Sequence, residues 1–170
     1  MQEKPIDQEQ ASLIAERLRT ENRLRGGASL FFWIAGLSVI NSLIVMLGGR
    51  WNFFIGLGIT QVIDGIAMAI ANEIRSEIGA VVKAIAFSVD IGIAGVFVLF
   101  GVLARRRHKW GFIVGLVLYT LDGLIFAIVG DPLSLGFHVL ALIGLITGLI
   151  ALSKLSEMER PDRFVEKGSD

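Results

Sequence analysis

Asp64, Asp90, Asp122 and His138 are the residues of this chain whose chemistry asks for an explanation. Each stands inside a long apolar run. Asp64 sits in "FIGLGITQVIDGIAMAI", Asp90 in "AIAFSVDIGIAGVFV", Asp122 in "LYTLDGLIFAIVG" and His138 in "DPLSLGFHVLALIGL". An ionised carboxylate in hydrocarbon costs at least a few kcal/mol, so such residues are rare and have a partner or a task. Carboxylate plus imidazole is also the chemistry of proton relays and coupling-ion sites.

Helical spacing gives each of them polar company. Thr60 and Gln61 precede Asp64 by four and three residues and share its face. Tyr119 stands three before Asp122, and Ser134 four before His138. Ser38, Asn41 and Ser42 make a further polar patch. Counted from the helix ends at 1.5 Å per residue, the four ionisable groups fall in one layer, roughly 9–14 Å inside the same face. In that layer Asp64 and Asp122 would form a charged pair, completed by Asp90 and His138. Three readings are open: hydrogen-bonded glue between helices, a proton or cation site, or a polar surface that meets a cation on another subunit.

The elements that must position this layer follow from hydropathy. The 170 residues are 54% hydrophobic and only 19% charged, with a mean hydropathy of +0.68. A soluble domain carries about 25% charged residues; here the charges crowd into short segments between apolar runs. Spanning about 30 Å of hydrocarbon takes about 20 helical residues. Five stretches qualify, at 28–47, 52–72, 81–104, 111–130 and 133–153. The expected fold is therefore all-α, a polytopic integral membrane bundle of about five transmembrane helices in a cell membrane.

The division of the chain follows: 1–26 polar with an amphipathic helix, 27–155 the bundle, 156–170 a polar tail. In the first segment, 8–25 reads as a helix of its own, with Ala11, Ile14, Ala15 and Leu18 on one stripe. Glu21 and Arg25 have the favourable acid-before-base order. The polar start is unlike a cleaved signal, which has a short basic region and an apolar core. Gly48, Gly49 and Arg50 turn the first span into the second. Asp131 is placed to cap the fifth helix and Pro132 to open it. The longer connection "NEIRSEIGAVVK" is expected to lie along the interface. Trp51 and Trp110 read as interfacial anchors. "GFIVG" and "GLITG" have the small-xxx-small spacing of close helix contacts.

"FIGLGITQVIDGIAMAI" (54–70) also aligns without a gap over "FIVGLVLYTLDGLIFAI" (112–128). This is an expected parallel repeat of two spans, its copies running in the same direction. Orientation is in conflict. "RRRHK" (105–109) holds four fixed cations and no acid, which puts it inside, and five spans then put the N-terminus outside. Arg17, Arg19, Arg23 and Arg25 ask for the opposite. The purely basic loop is given the greater weight; a third segment that does not cross, or a dual orientation, are the alternatives.

Several functions are disfavoured. Net charge is zero, giving no electrostatic reason for a nucleic-acid partner. The absence of cysteine removes disulfides and thiolate metal sites. There is no phosphate-binding loop, GxSxG elbow or HExxH, so neither an enzyme nor a bound metal or cofactor is expected. The first expectation is a structural or accessory membrane subunit, partnered by the lipid bilayer and by a second copy or a membrane-complex subunit. The alternative is a small cation- or proton-linked transporter or channel using the Asp/His layer.

Overall fold

The computed structural model describes residues 7–49, 56–74 and 76–160. They form five helices: α1 (Gln8–Met46), α2 (Gly58–Glu73), α3 (Ser76–Arg105), α4 (Lys109–Val129) and α5 (Pro132–Met158). No strand occurs among the described residues. Four of the helices, α1, α3, α4 and α5, are long and apolar enough to cross a membrane. The 16 residues of α2 fall short of the ~20 that a full crossing needs.

Two sequence expectations change here. The helix over 8–25 and the first span are one continuous element, α1, of 39 residues. Gly26 and Gly27 do not break it, because Gly27 is held where α1 touches α5. A Cβ on Gly27 would come within 2.6 Å of the Cα of Gly148, and one on Gly148 within 2.8 Å of the Cα of Gly27. Two glycines thus bring two backbones into direct contact. Nor does the "NEIRSEIGAVVK" connection lie apart from the bundle. Glu73 ends α2, Ser76 opens α3, and Gly79 packs against Ala71, so most of the stretch is the first turns of α3.

The bundle is apolar outside. Trp33, Leu47, Ile128, Val129 and Ile150 are among many large side chains more than 60% exposed. Inside, one half of the core is aromatic: Phe31 lies 5.6 to 6.4 Å, ring to ring, from Phe97, Phe100 and Phe112. The other half holds Ser38, Asn41, Ser42, Asp64, Asp90, Asp122 and His138, all buried. Polar side chains at the centre and bare hydrocarbon at the rim invert the arrangement of a soluble domain.

Ion pairs decide which ends share a face. Arg107, after α3, reaches Glu21 of α1 at 3.3 Å and Glu159, after α5, at 2.8 Å. Arg17 joins Glu159 at 3.0 Å, and Lys154 joins Glu16 at 2.6 Å. The N-terminal half of α1, the basic loop and the end of α5 therefore lie together, which corrects the expectation that the two termini are opposed. Glu21 takes Arg17 and Arg107 as partners rather than Arg25. α1 runs away from this face and α3 runs back to it, and α2, between them, is too short among the described residues to count as a crossing helix by length.

Candidate functional site

The physical reason lies at the N-terminus of α2. Leu57, Gly58 and Thr60 are buried, so this helix begins inside the bundle, where water cannot receive its first backbone N–H groups. Three such donors are met by side chains. Leu57 N–H donates to Ser38 Oγ at 2.8 Å. Gly58 N–H donates to Asp122 Oδ2 at 2.7 Å and Ile59 N–H to Asp122 Oδ1 at 2.9 Å. Asp122 is thus a cap supplied from another helix, its negative charge at the positive end of the α2 dipole. Gly58 permits the approach: a Cβ there would meet the Phe126 ring at 2.9 Å and Asp122 O at 3.2 Å.

Asp122 has a third partner. His138 Nε2 lies 3.0 Å from Asp122 Oδ2, both side chains being at most 5% exposed. With the carboxylate as acceptor, Nε2 carries the hydrogen, and Nδ1 has no hydrogen-bond partner among the described residues. The imidazole is held by rings: Tyr119 stacks on it at 4.2 Å and Phe126 lies at 4.9 Å. Gly123 leaves room for it, since a Cβ there would touch His138 Cδ2 at 3.0 Å. Tyr119 is likewise fully buried, and its hydroxyl has no hydrogen-bond partner among the described residues. Ser134, expected beside His138, turns its hydroxyl to Asp131 at 2.5 Å instead.

Asp90 forms a second group. Its side chain is 0% exposed, and among the described residues no donor reaches either oxygen at full hydrogen-bond geometry. Its polar neighbours, close enough for weak side-chain hydrogen bonds, are Ser42 on α1 and Asp64 on α2. Ser42 Oγ is buried, with Asp90 as its polar neighbour. Asp64 is 6% exposed and lies six residues, about 9 Å of helix, beyond Gly58. The layer read from the sequence therefore divides. Asp122 and His138 close on the start of α2, while Asp64 and Asp90 meet beside Ser42. Among the described residues no three His, Asp or Glu side chains cluster at metal-holding distance.

The remaining predicted residues are placed as follows. Asn41 is buried on the patch with Ser38 and Ser42, its amide beside Gly56. Gln61 is half-buried with no side-chain hydrogen bond to the aspartates. Trp110 is 77% exposed at the start of α4; Trp51 lies outside the described residues. Asp131 caps α5 through Leu133 N–H at 3.1 Å and Ser134 N–H at 3.2 Å. Hydrogen bonds from Ser134, first its hydroxyl and then its backbone, hold the Asp131 carboxyl below the usual aspartate range.

Sequence reasoning missed the α2 terminus as the partner of Asp122. A signal was available: Gly56 and Gly58 in "IGLGIT" are the residue type needed where a helix start presses against another backbone. Of the two copies of the proposed repeat, 58–70 lies in α2 and 112–128 in α4, while 54 and 55 lie outside the described residues. Their Asp-Gly pairs have different settings, because Gly123 packs on His138 whereas nothing lies within 4 Å of a Cβ on Gly65. Comparison with protein-family models, curated proteins and solved structures finds no match for this chain.

Proposed function

We propose that this chain is a multi-pass membrane protein linked to protons or a small cation, with Asp64 and Asp90 beside Ser42 as the exchange site. The observation that carries the reading is Asp90, a fully buried carboxyl whose only polar company among the described residues is the Ser42 hydroxyl and a second carboxyl, Asp64, with no cation or backbone N–H beside it. A buried polar group without partners is costly. It persists where a proton or a cation completes it, and a second carboxyl beside it makes gain and loss of that charge responsive to small changes. Ser42 Oγ, beside Asp90, supplies a further ligand atom.

In the proposed setting α1, α3, α4 and α5 cross the bilayer and α2 is a re-entrant half-helix. Non-helical backbone at membrane depth is tolerated only where protein buries it or a cavity receives it. Broken helices of this kind accompany ion sites in membrane transporters. Four crossings also bring Arg17, Arg19, Arg23, Arg25 and the "RRRHK" loop to one side, which the positive-inside rule makes cytoplasmic.

The test is proton and monovalent-cation flux into liposomes holding the purified protein, wild type beside Asp90→Asn and Asp64→Asn. Flux in wild type that disappears in both folded variants supports the reading. Equal behaviour of all three proteins ends it.

A second reading, a structural or accessory membrane subunit, is favoured by the Asp122 group. Its hydrogen bonds are accounted for by holding α2 in place, without any exchangeable species. A stoichiometric partner retained through purification in mild detergent, together with absence of flux, would select this reading.

A further inference from the structure

A basic cavity opens on the face where the ion pairs gather, remote from the aspartates. It has a volume of about 380 Å³ and is lined by Glu21, Leu24 and Arg25 of α1 with Arg105 and Arg107 at the end of α3. Its lining thus has three arginines and one glutamate. Arg105 is fixed: it donates to Ser29 Oγ at 3.1 Å, and its guanidinium sits 4.5 Å over the Phe32 ring. Arg107 is fixed by Glu21 and Glu159, on a backbone with φ of 64°, a region non-glycine residues seldom adopt. Arg25 is exposed and has no carboxylate partner among the described residues. Buried Leu24 gives the cavity an apolar wall.

We infer that this cavity binds the phosphate of an anionic phospholipid headgroup. Guanidinium forks match phosphate oxygens in geometry and charge, and basic pockets between transmembrane helices receive such headgroups. A lipid, rather than a soluble phosphate compound, is the source because of where the cavity opens. It lies at the ends of the apolar helices, and Trp110, three residues beyond Arg107 in the chain, is an exposed aromatic side chain suited to headgroup depth. The uncommitted Arg25 supplies the charge that the ligand neutralises, while Arg105 and Arg107 are already held in place. The inference rests on the bilayer setting and is independent of the Asp90 reading.

Delipidated protein in detergent would be titrated with phosphatidylglycerol or phosphatidylcholine of identical chains, and bound lipid counted by native mass spectrometry. Wild type should retain one phosphatidylglycerol in preference to phosphatidylcholine. Arg25→Gln should weaken it about fivefold, as should Arg105→Gln, while Arg106→Gln, outside the cavity, should not. Because Arg105 also packs on Phe32, the exposed Arg25 is the variant that keeps the test open if Arg105→Gln fails to fold. Equal binding of the two lipids, or equal losses in all three variants, overturns the proposal. So does thermal stabilisation by inorganic phosphate alone that matches the lipid's and depends on Arg25, since the source would then be soluble.

Discussion

Asp122 on α4 caps α2: its two carboxylate oxygens receive the N–H groups of Gly58 and Ile59 at 2.7 and 2.9 Å, 64 and 63 residues away in sequence. His138 adds a contact at 3.0 Å to the same carboxylate. The beginning of one helix is therefore specified by the middle of another.

Removing that acceptor should unseat α2. Asp122→Ala leaves two buried donors and an imidazole without a partner, at about 1–3 kcal/mol for each unsatisfied group. The expected loss is about 3 kcal/mol or more, read as unfolding in detergent. Asp122→Asn keeps one acceptor oxygen but turns an amide N–H toward a backbone N–H, so it should fall between wild type and alanine.

Asp90 should behave in the opposite way. With no donor at full hydrogen-bond geometry among the described residues and only Ser42 and Asp64 beside it, Asp90→Asn disturbs at most a weak side-chain contact and is expected to be as stable as wild type within about 1 kcal/mol. Stabilisation of wild type by protons or a cation, across pH 5 to 8, should vanish in this variant. A loss as large as that of Asp122→Ala would show that Asp90 is a structural group.

The contact between α1 and α5 gives a paired test. Gly27→Ala places a methyl group 2.6 Å from the Gly148 backbone and must push two helices apart, at about 1–3 kcal/mol. One position earlier, Gly26→Ala meets nothing within 4 Å and should stabilise by about 0.5–1 kcal/mol through helix propensity. Opposite signs at adjacent residues, by thermal unfolding, are the expected result.

Glu159 connects pH to this face. Its carboxyl is held below the usual glutamate range near 4.5, first by the hydrogen bond from Arg107 and then by the charges of Arg107 and Arg17. A folded-state value below the unfolded one means the stabilisation is complete above pH 4.5 and fades as pH falls below it. The difference in Tm between wild type and Glu159→Gln should therefore be small, constant near neutrality, and closed in acid. Added salt should also shrink it, because the pair is exposed.

Topology can be tested directly, as the chain has no cysteine. Ser12→Cys and Arg106→Cys should react with an impermeant thiol reagent from one side of a sealed vesicle, and Glu73→Cys from the other. Five full crossings would separate the first two.

The sequence by itself determined the helical class, four of the apolar helices and the approximate ends of α3, α4 and α5. These depend on local composition: a run of about 20 apolar residues has few alternatives in a bilayer. It also pointed Asp64, Asp122 and His138 inward, since helical spacing sets each of them beside other polar residues; Asp90, buried as well, has only apolar residues at that spacing. The Asp131 cap was legible for the same reason, its partners lying within three residues.

Only the tertiary structure decided what the inward groups meet. Asp122 reaches a helix start more than sixty residues away, and a backbone N–H has no signature in a list of side chains. Ion pairs from Arg107 and Arg17 to Glu159, and from Lys154 to Glu16, put both described ends of the chain on one face, pairings between residues too far apart in sequence to be read locally. Likewise, Asp90 differs from Asp122 by its neighbours and not by its residue type. In a single helix each carboxylate is simply a polar group on the inner side. Which of them is satisfied depends on distances across the bundle, and local spacing carries no information about those.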